Sequence, residues 1–301
     1  MTILLTIIGA AVVIVALQDL FHTLFHPSAT GDISDWIAQM VWRVIRVVRP
    51  GNLGLAGPLA FLLTVFYWAG SLVLGFALIY RPRLPDLFAF AAGLNPQNYN
   101  SFAGSINISL GALMTISSTA QAKALWLQFL MEIQAVFGFG LLTASVSWIL
   151  SIYPVLEHRR SLAHQASLLH FSEVKGIKRL EQISDAELED LLLDLASQLS
   201  THRNELTQFP ITYYFYEDDK KTALAGVLPY LADIAAQSVP RPGAAGLAAT
   251  VLGGAIDDYL QVVGERFLHR KFENRELALQ AYAQDHHREV VRSPHLRPTA
   301  P

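Results

Sequence analysis

The sequence contains no cysteine. Thiolate catalysis, disulfide bridges and cysteine-based metal sites are therefore excluded, and the redox compartment leaves no trace in the composition. Charge is also scarce: Asp, Glu, Lys and Arg make up 16% of the 301 residues, against about 25% in soluble domains, while 52% of residues are hydrophobic. The scarcity is uneven. The first half is nearly free of charge and the second half holds most of the ionic side chains. That asymmetry predicts a membrane part followed by a soluble part. A formal net charge of −3 lacks the basic footprint of a nucleic-acid binder. There is no Gly-x-Ser-x-Gly, His-Glu-x-x-His, Walker loop or dinucleotide fingerprint, so no enzymatic activity is expected. No internal repeat is visible.

Long apolar runs dominate what is present. Met1 to Leu17 is continuous, then Asp19, His22 and His26 appear. No Lys or Arg precedes this run, and bulky residues close it. An uncleaved transmembrane helix from Thr2 to about Leu24 is expected within residues 1–27, rather than a signal peptide. Pro27 to Asp32 reads as a turn. From Ile33 to Val48, the residues Ile33, Trp36, Ile37, Met40, Val41, Val44, Val47 and Val48 recur at helical spacing, with Arg43, Arg46 and Arg49 off the stripe. An amphipathic helix over 33–49, suited to the membrane interface, is expected. Pro50 to Pro58 is a Gly-rich break. Leu59 to Tyr80 carries no charge and predicts a second span, over 58–80.

After a loop from Leu87 to Asn100, the stretch from Ser101 to Thr119 is uncharged yet rich in Ser, Asn, Thr and Gly. It is apolar enough to enter a membrane, and too short and polar to cross one. Ala124 to Tyr153 carries one charge, Glu132, and is long enough for a bilayer core of about 30 Å. A polar dip feeding a long span predicts a re-entrant segment, over 101–119, followed by an inner helix over 124–154 that ends at Pro154. Irregular backbone at that depth is tolerated only where protein or a water-filled cavity surrounds it. The fold class expected is therefore an all-α membrane protein: an N-terminal span, an interfacial helix, a pore-like module over 58–154, and a mostly helical domain over 155–292.

Lys and Arg counts in the short flanks put the interfacial helix and the C-terminal half in the cytoplasm, with the Arg81–Lys123 segment outside. In the C-terminal half, Ser184 with Glu187 forms a capping-box pattern ahead of a Leu188, Leu191, Leu192, Leu195 and Leu199 stripe. Pro210 to Glu217 suits a short strand or an extended link. Further helices are expected over Lys220–Gln237 and from Gly246 to Phe267 or beyond. Residues 293–301 read as a disordered tail.

Two spans around a re-entrant dip, preceded by an Arg- and Trp-bearing interfacial helix, resemble the pore module of potassium channels. Glu132, the run Gly138-Phe139-Gly140-Leu141-Leu142-Thr143-Ala144-Ser145 and the exit from Trp148 to Arg160 resemble the inner helix of bacterial two-helix potassium-channel-like proteins. The segment from Asp19 to Pro27 resembles an extra leading helix found in that group. The resemblance covers residues 1–165. It implies a homotetramer in the bacterial inner membrane, with lipid and monovalent cations as partners and no cofactor beyond those cations. The filter departs from the family pattern Thr-x-Gly-Tyr-Gly-Asp. The best local match is Ser109-Leu110-Gly111-Ala112-Leu113-Met114, and a rival register puts the first glycine nearer Leu113. A Cβ at Leu113 resists a left-handed backbone by about 1–2 kcal/mol. The resemblance thus implies a weakly selective cation pore, lined by Asn107, Ser109 or Thr115, or constricted at Leu113 or Met114. The alternative is a non-conducting, membrane-anchored signalling or scaffold protein that keeps the pore fold.

Single residues carry further expectations. Glu132 is either functional within the span or a structural acceptor, hydrogen-bonded behind the dip or paired with Lys123. Gly138 and Gly140 form either a hinge or a close-packing surface. Asp19, His22 and His26 suit a polar helix end better than a zinc site. His286 and His287 are expected in solvent. Asp257-Asp258 and Glu217-Asp218-Asp219 lack the twelve-residue pattern of a calcium loop.

Overall fold

In lipid, backbone N–H and C=O groups must pair within their own segment, so long uncharged runs have helix as their available form. The computed structural model describes residues 1–25, 31–48, 52–116, 120–176 and 182–294. Among these, helices α1 (Thr2–Phe25), α3 (Ala56–Tyr80) and α5 (Leu125–Val174) are long and apolar enough to cross a membrane. Between them lie α2 (Asp32–Val48) and the 12-residue α4 (Phe102–Leu113). The rest comprises α6 (Asp185–Gln208), α7 (Leu224–Ser238), α8 (Ala244–Val262) and α9 (Arg275–Asp285). Strand structure among the described residues is one antiparallel pair, β1 (Phe88–Phe90) with β2 (Ala120–Ala122). The fold is all-α. His26, Arg49, Ser117 to Thr119, Lys178, Arg179, residues 27–30 of the expected turn, residues 50–51 of the Gly-rich break and residues 295–301 of the expected tail lie outside the described residues.

Two units divide the chain: Met1–Arg43 with Leu59–Ser151, and Val44–Pro58 with Ile152–Pro301. In the first, α1 packs against α3 through small residues. A Cβ on Gly9 would collide with the Gly75 carbonyl, and one on Gly75 would overlap the Val13 side chain. At one end of this contact Arg83 Nη1 donates to Thr6 Oγ1 at 3.1 Å. At the other, Trp68 Nε1 donates to Asp19 Oδ2 at 2.8 Å. Helix α5 joins through Trp148, whose ring centroid lies 5.5 Å from Trp68 and 5.0 Å from Phe61.

The expected end of the inner helix at Pro154 is corrected. Helix α5 runs on for 50 residues in all, to Val174. Proline removes one hydrogen bond but leaves the next turn free to continue when that turn is packed. Here it is: Ile152, Val155, Leu156, Leu162, Ala163 and Ala166 are buried. Arg159, also buried, donates to the carbonyls of Thr212 at 2.9 Å and Phe215 at 2.5 Å.

The second unit is a helical bundle. The capping box forms, with the Glu187 amide donating to Ser184 Oγ at 3.3 Å and the Ser184 amide donating back to Glu187 Oε2 at 3.2 Å. Leu188, Leu192, Leu195 and Leu199 are buried as the spacing requires, with Leu191 half-buried, and α6 packs most extensively on α8. Three expectations fail here. Pro210–Tyr214 is a buried 3₁₀ turn, since its own aromatic side chains anchor it in the core. His286 is buried, not solvated: it lies edge-on to Tyr213 and Tyr282, and its Nε2 meets the Tyr213 carbonyl at 3.1 Å. The head of the expected tail is also held, because Asp233 accepts from Arg292 and from the Ser293 amide, both at 2.9 Å. The acidic clusters are engaged in ion pairs, Asp257 with Arg275, Asp258 with Arg203 and Glu217 with Arg160. No metal-holding group of acidic or His residues exists among the described residues.

Candidate functional site

In the first unit the short helix α4 is bonded to both α3 and α5. Ser101 caps it, its Oγ accepting from the Gly104 amide at 3.0 Å, and the absence of a Cβ on Gly104 lets the first turn pass the Tyr99 backbone. Before and after α4 the chain is pinned to itself. Phe88 pairs with Ala122, Ala89 with Gln121 and Phe90 with Ala120, and the Lys123 amide donates to the Leu87 carbonyl at 2.9 Å. The segment that leaves α3 and the segment that enters α5 therefore run side by side, and α4 departs from and returns to one level.

Below that level, buried polar side chains hold α4. Ser109 Oγ donates to the Val73 carbonyl of α3 at 2.7 Å. Gln134 Nε2, on α5, donates to the Ser109 carbonyl at 3.0 Å and lies 2.8 Å from its Oγ. Gln134 Oε1 in turn accepts from Tyr80 Oη at 2.9 Å. Ser109 and Gln134 are fully buried, so each polar atom must find a partner inside the protein. At a rise of about 1.5 Å per residue, Val73 lies about 10 Å before the end of α3 and Gln134 about 13 Å into α5. The tip of α4 reaches further. The Leu113 carbonyl abuts Gly138, about 20 Å into α5, where a Cβ would strike it.

This geometry corrects the expected filter. Asn107, Ser109, Leu110, Gly111, Ala112 and Leu113 all lie inside α4, where carbonyls turn along the helix axis into its own ladder. They cannot line an axis as an extended filter does. Ser109 faces α3 and α5, Asn107 and Leu110 are exposed, and Ala112 and Leu113 are buried. The helix ends at Met114, and the left-handed residue is Thr115, with φ +57°, not Leu113. The Ile116 amide reaches back to the Gly111 carbonyl at 2.9 Å, a closure usually given to glycine at the Thr115 position. Met114 and Thr115, both exposed, are the members of the expected set that stand clear of the helix.

Glu132 is not the buried acceptor. It borders an open cavity of about 440 Å³ with Thr115, Gln121, Gln128 and Met131, and Lys123 Nζ instead donates to the Asp86 carbonyl at 2.9 Å. Gln134, which no motif marks, ties α4 to α5; it is one of two amides, with Gln128, in a span that carries a single charge, and nothing beside it in the sequence singles it out. Gly138 serves close packing, whereas Gly140 is exposed with open space around its Cα. Gly140 belongs to a line with Thr143, Ser147, Ser151 and Pro154, all exposed and all on one face of α5.

Asp19 also departs from expectation. Its carboxylate is buried and turned inward, accepting from the amides of Ile33 at 3.0 Å and Ser34 at 3.3 Å, from Ser34 Oγ, and from Trp68. It thereby caps the N-terminus of α2 from α1, and Gly31 is the residue that fits over it, since a Cβ there would overlap the carboxylate.

No family model matches the chain, and no solved structure matches it. A curated relative does: the protein named "Uncharacterized membrane protein YdjJ" of Bacillus subtilis (strain 168), 23% identical over 204 residues. The matched stretch covers 65% of this chain, which in turn spans 58% of the relative's length. The chain is a membrane protein. Its apolar helices and this relative agree on that point.

Proposed function

We propose that the chain forms a weakly selective pore for monovalent cations as a homo-oligomer, most simply a tetramer, of potassium-channel architecture. The observation that carries this reading is the dip itself: α4 leaves and rejoins one level while its polar side chains are tied about 10 Å or more below it. One dip per chain cannot close a pore, so copies must meet around an axis. The line of Gly140, Thr143, Ser147 and Ser151 supports the same reading. Small polar residues exposed along an apolar helix suit a water-filled path or a second helix better than lipid tails. Among the described residues, the filter role falls on Met114 and Thr115. In this reading the protein is a multi-pass protein of the bacterial inner membrane, and its second unit lies in the cytoplasm.

A second reading is favoured by one observation: from Ala112 to Phe137 the chain holds no glycine. Without glycine, a ring of carbonyls like that of potassium channels is costly to build, and the assembly would be a non-conducting membrane scaffold. Liposomes holding the full chain and a cation-sensitive dye separate the two. The pore reading expects leak of potassium or sodium, reduced several-fold by Thr143→Trp. Ser147→Cys, introduced into a chain without native cysteine, should form cross-linked dimers on oxidation in both readings. Cross-linking without leak at any voltage or pH selects the scaffold, and failure of both overturns the shared axis.

A further inference from the structure

Helix α2 presents a stripe that is left exposed among the described residues. Trp36 is 59% exposed, Val44 50%, Val47 82% and Val48 68%, and Met40 lies between them on the same face. The opposite face, Ser34, Ala38, Val41 and Trp42, is buried. This helix is held at both ends. Its first amides are bound by Asp19 of α1, whose other oxygen takes Trp68 of α3, so its start is anchored to two helices apolar enough to cross a membrane. Near its other end Arg46 pairs with Asp285, which also accepts from Tyr213 Oη at 2.7 Å. The edge of the exposed stripe carries Arg43, whose exposed guanidinium reaches Gln39 at 3.3 Å. The carboxylates Asp32 and Asp35 are confined to the first turn, where they complement the helix N-terminus.

We propose that α2 is a lipid-reading helix, whose Trp36, Met40, Val44, Val47 and Val48 seat in the headgroup boundary of an anionic leaflet while Arg43 binds lipid phosphate. Apolar area and basic charge on one helix are the two contributions such a surface requires. A bilayer is favoured over a protein partner because the helix that bears the stripe is anchored at its start to two helices apolar enough to cross a membrane. The inference stands on membrane residence alone and does not depend on conduction.

The test uses the full chain in nanodiscs of phosphatidylcholine, with and without phosphatidylglycerol. Val47→Cys and, separately, Lys220→Cys are labelled with one polarity-sensitive dye, and quenching by lipids brominated near the glycerol end is read. The expected result is several-fold stronger quenching at position 47 than at 220, rising further with phosphatidylglycerol. Arg43→Glu in the Val47→Cys background should abolish that rise while the protein elutes unchanged on gel filtration. Equal quenching at the two sites overturns the seating. Quenching at 47 that ignores phosphatidylglycerol and Arg43→Glu overturns the anionic specificity. A label at 47 that is shielded from water yet not quenched by brominated lipid assigns the stripe to a second copy and overturns the proposal.

Discussion

Gln134 carries more of the candidate site than any charged residue does. It joins Tyr80, Ser109 and, through Ser109, the Val73 carbonyl. Gln134→Leu leaves Tyr80 Oη and the Ser109 carbonyl without their partner, at a cost of about 1–3 kcal/mol. A lower melting temperature in lipid nanodiscs checks this, with Tyr80→Phe expected to fall less. The paired glycines make a second contrast. Gly138→Ala drives a methyl into the Leu113 carbonyl and should cost about 1–3 kcal/mol, whereas Gly140 has open space and Gly140→Ala should leave the protomer's melting unchanged. Equal effects at the two positions would contradict the contact between α4 and α5. Gly138 was open between hinge and packing in the sequence, because a glycine's neighbours across helices are not encoded beside it.

At the scale of elements, local chemistry explains the ends and packing explains the persistence. Ser184 and Glu187 close the start of α6 as a reciprocal pair, so Ser184→Ala should lower the unfolding free energy of the second unit by about 1 kcal/mol, read by thermal denaturation followed by circular dichroism. Pro154, by contrast, does not end α5, because Ile152, Val155, Leu156 and Arg159 beyond and before it are buried. The capping box was legible because its partners lie three residues apart. The strand pair β1–β2 was not, since its strands have three residues each and pair across the whole of α4.

At the scale of the whole molecule, the titratable interior of the second unit sets its response to acid. Burial pushes the His286 imidazole down to about 4 from its ordinary 6.5; Asp285 and the carbonyls of Tyr213 and Tyr282 oppose that shift, and Arg159 adds to it. Burial likewise lowers His202, which lies beside Tyr259, Arg159, His158 and Glu205. The unfolded chain binds these protons more tightly than the folded one. Stability is therefore full above pH 6.5 and falls as pH drops, with about 3 kcal/mol lost through His286 alone by pH 4. Denaturant midpoints between pH 7.5 and 4.5 measure the slope, and His286→Gln, which keeps a donor for the Tyr213 carbonyl, should flatten it. An unchanged slope would mean that His286 takes up its proton while folded.

Composition and periodicity were enough to determine three apolar helices, a short polar stretch before the last of them, an amphipathic helix and a charged helical half. Each of these depends on a residue's own side chain and on neighbours within a turn or two. Only the tertiary structure decided that Ser109 faces inward, that Thr115 and not Leu113 takes the left-handed turn, that Asp19 caps another helix and that His286 is buried. Those outcomes depend on atoms contributed by distant stretches of chain, and a buried polar group takes its role from whichever partner the packing brings within about 3 Å.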